Sequence, residues 1–334
     1  MRNPITSLVL FAVLAASPAW AAHISKPGET TQPVPPTPLE TNPVTYSWTG
    51  AAGTKWSNPS NWVPAGVPRS GDSLVFGENT GMGQDATAVN DLPSGLTFAS
   101  VTGKGGAFTI SGNPIGITGT VSADSRLNFE MPVDLGSSGH ALQSVSFLAP
   151  VAGSGTLTGT ASFTTPIQQP FTGTLDGMGS WILGSDLSST RFNNARIVGY
   201  GKVGALTGSV QIQPMELDGA PATFTTGAFQ ADGGYLFAML EEDMGSQIQV
   251  QGPVRVEGIR FLPQTAGDFA PVSGKVYILI SNDGTDPISG TLRDYEDGTP
   301  YLEGSVLRWG AYDLRISYVG GDGNDLTVTA IKAR

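Results

Sequence analysis

Short apolar runs separated by turn residues dominate the chain from Thr45 onward, and they restrict what it can fold into. The runs are rich in β-branched and aromatic residues and are separated by Gly, Asn, Asp and Ser, as in LTFASV, AFTISG, GITGTVSA, ARIVGYG and SQIQVQG. Alternation of apolar and polar positions is typical of half-buried strands, and no window keeps the 3.6-residue period of an amphipathic helix. The sequence therefore predicts an all-β protein.

Two longer stretches indicate how the strands are arranged. FTISGNPIGITGTVSAD (108–124) and LTGSVQIQPMELDGAPATF (206–224) each hold several strand and turn segments in succession. Such units predict a solenoid with coils of roughly 20 to 25 residues, about ten of which would fit between residues 92 and 330. Each coil buries an inward row of Val, Ile, Leu and Phe, and its outward positions can be Ser, Thr or Asn. A pair of β-sandwiches is the alternative.

The first 44 residues have a different composition. Arg2 precedes an apolar stretch from Ile5 to Ala16, and Ala19-Trp20-Ala21 offers the small residues that a signal peptidase recognises. We therefore predict a signal peptide over residues 1–21 and an exported mature chain, which is extracellular or at the cell surface, with the periplasm as the alternative. Residues 22–44 are rich in proline and poor in apolar side chains, which predicts a Pro-rich linker.

Composition excludes several classes of site and partner. The chain contains no cysteine, so it has no disulfide and no thiolate ligand or nucleophile. With 28 acidic and 17 basic residues the net charge is -11, and lysines and arginines are not clustered. A nucleic-acid partner needs a basic patch and is therefore disfavoured. Binding of an acidic polysaccharide through a broad basic face is disfavoured for the same reason. We also expect no transmembrane segment in the mature chain.

Three segments together resemble the secreted proteins with autotransporter-associated β-strand repeats. The first is YSWTGAAGTKWSNPSNWVPAGVPRSGDSLVFGE (46–78), which contains Trp-Thr-Gly, Trp-Ser, Asn-Trp, Val-Pro and Gly-Asp before a strand that ends in Phe. The second is LTFASVTGKGGAFTISGNPIGITGT (96–120). The third is GKVYILISNDGTDPISGTL followed by LRISYVGGDGNDLTVT. The resemblance covers both ends of the mature region, and residues 121–270 only loosely.

The resemblance implies a right-handed parallel β-helix. It places a Trp-rich N-terminal cap at residues 45–91 and a β-solenoid at 92–330, with a closing segment from about residue 274. The cap tryptophans (Trp48, Trp56 and Trp62) are interpreted as buried anchors, and a sugar-stacking platform is the alternative. The chain ends in Ile331-Lys332-Ala333-Arg334, without a barrel strand or a sorting helix. We therefore expect a passenger-like domain without a translocator.

The segment GGDGNDLTV, residues 320–328, is close to a calcium-binding nonapeptide. Its apolar residue falls one position early and no second copy occurs, although each ion in a calcium β-roll sits between neighbouring loops. We therefore predict a tight turn between the strands RISYV and LTVTA, and no metal or other cofactor. Asp322 and Asp325 remain the candidates for calcium, together with Asp283 or Asp286.

Candidate catalytic residues are few. His140 is the one histidine outside the Pro-rich linker, and we expect it to be a turn residue at a coil edge. The clusters Glu241-Glu242-Asp243 and Asp294-Tyr295-Glu296-Asp297 are predicted to be solvated loops, because neighbouring side chains point in opposite directions on strands. Arg255 and Arg260 alternate with apolar residues as outward strand positions do. No catalytic site is predicted.

The expected function is that of a secreted structural or adhesive surface protein that acts through an extended solenoid and is not an enzyme. Its partners would be the cell surface, an extracellular glycan or further copies of itself. One alternative is a carbohydrate-binding or polysaccharide-degrading β-helix protein, which predicts aromatic and acidic side chains in one exposed cleft. Another is a calcium-dependent, self-assembling layer protein. Five aromatic positions distinguish the first two functions: Trp181, Tyr200, Tyr235, Trp309 and Tyr312.

Overall fold

The computed structural model describes residues 42–77, 86–164, 171–177, 179–265, 271–309 and 312–332, apart from the side chains of Trp181 and Lys332. The predicted signal peptide and residues 22–41 of the predicted linker lie outside this part of the chain. From Pro43 onward the chain forms one compact unit.

The described residues contain 28 strands and one 3-10 helix, Pro59–Asn61. The first strands are β1 (Thr45–Trp48), β2 (Trp62–Val63), β3 (Ser73–Phe76), β4 (Ala86–Asn90), β5 (Leu96–Phe98), β6 (Ser100–Gly103), β7 (Ala107–Gly112) and β8 (Ile115–Ile117). The central strands are β9 (Val121–Phe129), β10 (Val133–Asp134), β11 (His140–Phe147), β12 (Val151–Ala152), β13 (Thr156–Thr164), β14 (Thr174–Asp176), β15 (Gly179–Leu187), β16 (Arg191–Asn193), β17 (Arg196–Val203) and β18 (Leu206–Pro214). The last strands are β19 (Thr223–Thr226), β20 (Phe229–Leu240), β21 (Gln247–Val250), β22 (Val254–Val256), β23 (Arg260–Thr265), β24 (Val276–Asn282), β25 (Arg293–Asp294), β26 (Val306–Trp309), β27 (Tyr312–Gly320) and β28 (Asp325–Lys332).

Three parallel ladders join these strands between successive windings of the chain. The first runs β4–β7–β9–β11–β13–β15–β17–β18–β20–β23–β25. The second runs β1–β3–β6–β9–β11–β13–β14–β16–β18–β20–β22. The third consists of β5–β8–β10–β12 and, further along the chain, β15–β17–β19–β21–β24. In long strands such as β11 and β20, one half of the strand pairs in the first ladder and the other half pairs in the second.

The all-β prediction is confirmed, and the parallel ladders fit the solenoid class. A β-sandwich is built from antiparallel sheets, so the sandwich alternative does not fit these ladders. Alternate residues along the strands are buried, as in β3, where Leu74 and Phe76 are buried and their neighbours are partly exposed. This alternation explains why the period of two in the sequence identified the strands.

The predicted coil length is wrong for the central windings. Ile115, Val133 and Val151 are successive partners in the third ladder, so one winding there takes 18 residues. Windings of the predicted length follow later in the chain, where Leu206 pairs with Phe229, 23 residues on. The coil length therefore varies along the solenoid.

Close backbone contacts explain how the central windings can be so short. A Cβ atom added to Gly155 would overlap the carbonyl oxygen of Ser138, and one added to Gly159 would overlap that of Leu142. Gly159 also has a φ of 100°, which other residues rarely adopt. Glycine at these corners lets neighbouring windings turn without a loop.

The interior is filled by inward side chains that stack from one winding to the next. Phe129, Phe147 and Phe163 are partners in the first ladder, and their ring centroids are 5.6 Å apart in each step. All three are at most 1% exposed. Such stacked pairs stabilise a fold by about 0.5–1.5 kcal/mol beyond the burial of their surface. This row of rings holds adjacent windings in register.

The tryptophans of the predicted cap are buried around one ring. The ring centroid of Trp62 lies 4.9 Å from that of Trp48, 5.6 Å from Trp56 and 5.9 Å from Phe76. The exposed fraction of each of the three tryptophans is 2% or less. The interpretation as buried anchors is confirmed, and the sugar-stacking alternative is wrong because these rings have no free face. The segment is continuous with the second ladder through the pairing of β1 with β3.

The strand direction changes near the C-terminal end of the described residues. β24 pairs antiparallel with β28, β28 with β27, and β27 with β26. This antiparallel sheet lies where the closing segment from about residue 274 was predicted. Among the described residues, no helix has the length and apolar character needed to cross a membrane.

Candidate functional site

His140, the one histidine among the described residues, is a buried structural residue. Its exposed fraction is 3%, and it begins β11 instead of occupying a turn. The ring Nδ1 lies 2.6 Å from the carbonyl oxygen of Gly119, and Nε2 lies 2.7 Å from that of Leu135. Since both nitrogens face backbone acceptors, the ring joins neighbouring windings and is not available to activate a nucleophile.

The nonapeptide-like segment forms the predicted tight turn. Gly320 pairs with Asp325 across the hairpin of β27 and β28, and residues 321–324 form the turn. The Asp325 carboxylate is buried and accepts a hydrogen bond of 2.9 Å from the backbone N–H of Asn282. Asp322 is exposed. Asp325 therefore attaches the turn to β24.

The other calcium candidates lie in the loop after β24. The carboxylate of Asp283 accepts from the backbone N–H of Gly252 at 2.8 Å, and Asp286 is exposed. Within the ranges that the structure describes, no three His, Asp or Glu side chains are grouped so as to hold a metal ion.

A cleft of about 620 Å³ opens beside β23, β26 and the loop that follows β25. Three aromatic and three acidic residues are among those that line it: Asp294, Tyr295, Glu296, Asp297, Tyr301 and Trp309. We call it the C-terminal cleft. Its floor includes the apolar β23 residues Phe261, Leu262 and Pro263. It thus combines ring faces and hydrogen-bond acceptors in one concave surface.

Arginine side chains hold the acidic loop of the cleft in place. Nη1 of Arg260 donates to the carbonyl oxygen of Tyr295 at 2.7 Å and to that of Glu296 at 3.2 Å. Nη1 of Arg293 donates to the carbonyl oxygen of Gly298 at 3.1 Å. Arg260 is an outward strand residue, as predicted, and its guanidinium donates to the loop. The loop is therefore a fixed wall of the cleft.

Asp294 organises the turn of this loop from within. Its Oδ1 accepts from the backbone N–H of Glu296 at 2.7 Å and from that of Asp297 at 3.1 Å. Its other carboxylate oxygen accepts from the hydroxyl of Tyr301. The prediction that this acidic cluster is only a solvated loop is therefore wrong for Asp294, since both of its carboxylate oxygens accept hydrogen bonds from the protein. Glu296 and Asp297 are exposed.

The same hydrogen bonds set the charge state of the cleft. The hydroxyl of Tyr301 lowers the pKa of Asp294, and the two backbone N–H groups and Arg260 act in the same direction. Burial, followed by the contact with Asp294, raises the pKa of Tyr301. Burial also raises the pKa of the neighbouring Tyr318 to about 12. At neutral pH Asp294 is therefore a carboxylate and both phenols are neutral.

We expect acid to destabilise the protein partly through Asp294. Its folded-state pKa lies below the ordinary value of 3.8, so its contribution to the free energy of unfolding is complete above that value and disappears as the pH falls through the folded-state pKa. Asp294→Asn should cost about 1 kcal/mol at neutral pH, because the hydrogen bonds become weaker neutral ones. Urea unfolding of both proteins from about pH 7 to about pH 2.5 should show this difference shrinking toward zero.

Glu296→Gln is the matched control for this prediction. It removes the same charge from the same loop, at an exposed position with no hydrogen bond from its side chain within the described residues. At neutral pH it should unfold at the same urea concentration as the wild type. A deficit of Asp294→Asn that stays constant from neutral to acid pH would contradict the assigned role.

Further aromatic residues extend the cleft on one side. The ring centroid of Tyr295 lies 5.7 Å from that of Tyr235 and 6.2 Å from that of Phe237. Tyr235 and Tyr295 are 38% and 37% exposed, which is high for aromatic side chains of a folded chain. The three rings form an exposed platform next to the acidic loop.

Three of the five diagnostic aromatic residues therefore lie at or next to this cleft. Trp309 lines it, Tyr312 is the cross-strand partner of Trp309, and Tyr235 contacts Tyr295. Tyr200 lies on β17, away from the cleft, and the side chain of Trp181 is outside the described residues. The gathering of exposed rings and carboxylates weakens a purely structural interpretation.

The acidic cluster at Glu241-Glu242-Asp243 is different, since it is not among the residues that line the C-terminal cleft. The hydroxyl of Tyr277 donates to the carbonyl oxygen of Glu241, and Nζ of Lys275 donates to that of Asp243. Glu242 and Asp243 are exposed, in agreement with the predicted solvated loop. Arg255 is likewise exposed on β22, as predicted for an outward strand position.

Comparison with known proteins adds no assignment. No protein-family model matches the chain, and no curated protein matches it. The resemblance to the autotransporter-associated repeat proteins therefore stays a prediction.

Proposed function

We propose that this protein is an exported, adhesive β-solenoid that holds an extracellular glycan in its C-terminal cleft without cleaving it. The observation behind this proposal is the convergence of Tyr295, Trp309, Glu296 and Asp297 on one cleft of about 620 Å³. Pockets that bind small ligands combine apolar and aromatic walls with a few polar groups that fix the ligand.

The proposed architecture is a right-handed parallel β-helix of the autotransporter-associated repeat type. The handedness is supported by the general rule that parallel strands joined by a crossover connection in one sheet are right-handed in about 98% of cases. Export is supported by the leader-like segment of residues 1–21. On this proposal the solenoid carries the cleft at the surface of the cell or in the extracellular space.

A sugar matches both kinds of side chain in the cleft, the aromatic rings and the carboxylates. The C–H face of a pyranose ring can pack on the exposed ring of Tyr295 or on Trp309. Its hydroxyl groups can donate to the exposed side chains of Glu296 and Asp297. The lining also includes the exposed Arg308, but the three carboxylates of the acidic loop outnumber it and disfavour an anionic sugar. The proposed ligand is therefore a neutral or amino-substituted glycan.

Two features of the acidic loop support binding over hydrolysis. A general acid in a glycosidase needs a raised pKa, whereas that of Asp294 is lowered. The hydrogen bonds of Asp294 hold the turn together, and Arg260 is engaged with two carbonyl oxygens of the same loop. We therefore place these residues in the architecture of the cleft and not in a reaction.

A glycan array followed by titration of the full chain tests the proposal. We expect a neutral or amino-substituted oligosaccharide to bind and to change the tryptophan fluorescence. Trp309→Ala should weaken this binding about tenfold, which corresponds to the loss of one aromatic stacking contact. Tyr200→Ala is the matched control, because it removes an aromatic side chain from a distant winding and should leave the affinity unchanged.

Two results would contradict the proposal. One is an array without any ligand whose affinity depends on Trp309. The other is the release of new reducing ends from a bound oligosaccharide, which would establish the polysaccharide-degrading alternative instead. A fall in melting temperature on addition of a calcium chelator would support the calcium-dependent layer protein.

A further inference from the structure

We infer that a second, separate site on the outer face of the first ladder binds a linear polysaccharide that carries carboxylate groups. The site is a groove of about 270 Å³ that crosses β9, β11, β13, β15 and β17. Its lining includes two arginines and a series of hydroxyl side chains: Arg126, Ser144, Ser146, Thr160, Ser162 and Arg196. We call it the two-arginine groove. It is independent of the proposed function of the C-terminal cleft.

The two arginines of the groove are free to take a ligand. Both are exposed, and in the ranges described here neither makes a hydrogen bond or an ion pair with the protein. This contrasts with Arg260 and Arg293, whose guanidinium groups donate to backbone carbonyl oxygens at the C-terminal cleft. In a chain of net charge -11, two unpaired arginines in one groove are a local exception.

No acidic residue interrupts the groove. None of the residues that line it is Asp or Glu, and Arg126 and Arg196 are its two charged residues. Glu130 lines the adjoining hollow, which shares Arg126, Ser146 and Ser162 with the groove. Guanidinium groups bind carboxylates through parallel N–H donors, often in a bidentate arrangement. The charge of the groove is therefore complementary to a carboxylated ligand, although the surface as a whole offers no broad basic face.

The floor of the groove repeats at the spacing of the windings. Ser146 pairs with Ser162 in the next winding, and Thr160 pairs with Gly179, which pairs with Arg196. Four strand-to-strand steps separate β9 from β17, which places the two arginines roughly 19 Å apart along the ladder. A repeating floor of hydroxyl groups with a cation at each end suits a repeating, extended ligand.

A polysaccharide fits the groove better than an acidic peptide does. Extended peptides usually bind at the edge of a sheet, where main-chain groups are free. The groove lies on the face of the sheet, where the backbone is engaged in the ladder and only side-chain hydroxyls are offered. A ligand with many hydroxyl groups can exchange hydrogen bonds with this floor, and its carboxylates can reach the arginines.

Calorimetric titration of the full chain with polygalacturonate tests this inference. We expect Arg126→Gln/Arg196→Gln to lower the affinity about tenfold or more, because two charge-assisted contacts are lost. Both residues are exposed, so the variant should keep the melting temperature of the wild type. The matched control is Arg255→Gln/Arg315→Gln, which makes the same change in net charge at two exposed arginines outside the groove and should bind like the wild type.

Comparator ligands identify what the groove recognises. Fully methyl-esterified polygalacturonate, which has the same backbone without the charge, should not bind, and polyglutamate should bind more weakly than polygalacturonate. Trp309→Ala should retain the full affinity for polygalacturonate. The inference would be overturned if the two arginine double variants lost the same affinity, or if Trp309→Ala lost binding to polygalacturonate. It would also be overturned if the esterified polymer or polyglutamate bound as tightly as polygalacturonate.

Discussion

Trp62→Ala is expected to lower the free energy of unfolding by about 3–5 kcal/mol, the range for removing a large aromatic side chain from a core. Trp62 is 2% exposed and packs against four other aromatic rings, those of Tyr46, Trp48, Trp56 and Phe76. Its Nε1 also donates to the carbonyl oxygen of Trp56 at 2.9 Å, which would lose its donor. Urea unfolding followed by circular dichroism measures the change.

Two further variants separate the causes of this loss. Trp62→Phe keeps an aromatic ring but removes the Nε1–H donor, so it should cost less than Trp62→Ala and more than a surface change. Leu217→Ala removes a side chain that is 71% exposed and should stay within about 0.5 kcal/mol of the wild type. A change below about 1 kcal/mol for Trp62→Ala would mean that the aromatic cluster does not hold the N-terminal windings together.

His140→Ala is expected to lower the free energy of unfolding by about 2–4 kcal/mol, through lost hydrogen bonds to buried acceptors. The ring bridges the carbonyl oxygens of Gly119 and Leu135, which belong to two different turns of the chain. A neutral imidazole donates from one nitrogen and the imidazolium from both, so the ring satisfies at least one of these carbonyls in either state. Alanine offers no donor and leaves a cavity.

A conservative variant distinguishes the hydrogen bonds from the packing. His140→Gln retains a side-chain amide with two N–H donors, so it should recover part of the stability lost in His140→Ala. His140→Leu fills the volume without a donor and should recover little. If His140→Leu were as stable as the wild type, packing alone would account for the residue.

These two predictions concern stability, whereas the variants of the cleft and groove concern binding. Trp309→Ala should affect glycan binding with a small effect on folding, because Trp309 is only partly buried. Trp62→Ala should lower the stability of the fold with a small effect on glycan binding. The contrast separates two uses of tryptophan that the sequence alone does not distinguish.

The sequence indicates some residues of the C-terminal cleft, but not that they come together. Trp309 and Tyr235 were identified as diagnostic positions, but the acidic run from Asp294 to Asp297 was predicted to be solvated. Its role depends on Arg260, which lies 34 residues before Asp294 and reaches the loop because β23 pairs with β25. Nothing in the local sequence indicates that pairing.

The sequence contains a repeat that matches the short central windings and differs from the predicted coil length of 20 to 25 residues. Pro114, Pro132 and Pro150 recur at intervals of 18 residues, each followed by Ile or Val. These apolar residues are the successive partners Ile115, Val133 and Val151 of the third ladder. This repeat indicates the winding length of that region.

Local sequence patterns were enough to predict the strands and the turns, because alternation of apolar residues and the placement of glycine act over a few neighbouring positions. Which windings pair, and so which distant side chains meet, is set by the tertiary structure. Asp325 accepts a hydrogen bond from the backbone of Asn282, His140 bridges two windings, and Arg126 and Arg196 face one groove. Such contacts depend on the register of windings of unequal length, which local patterns do not encode.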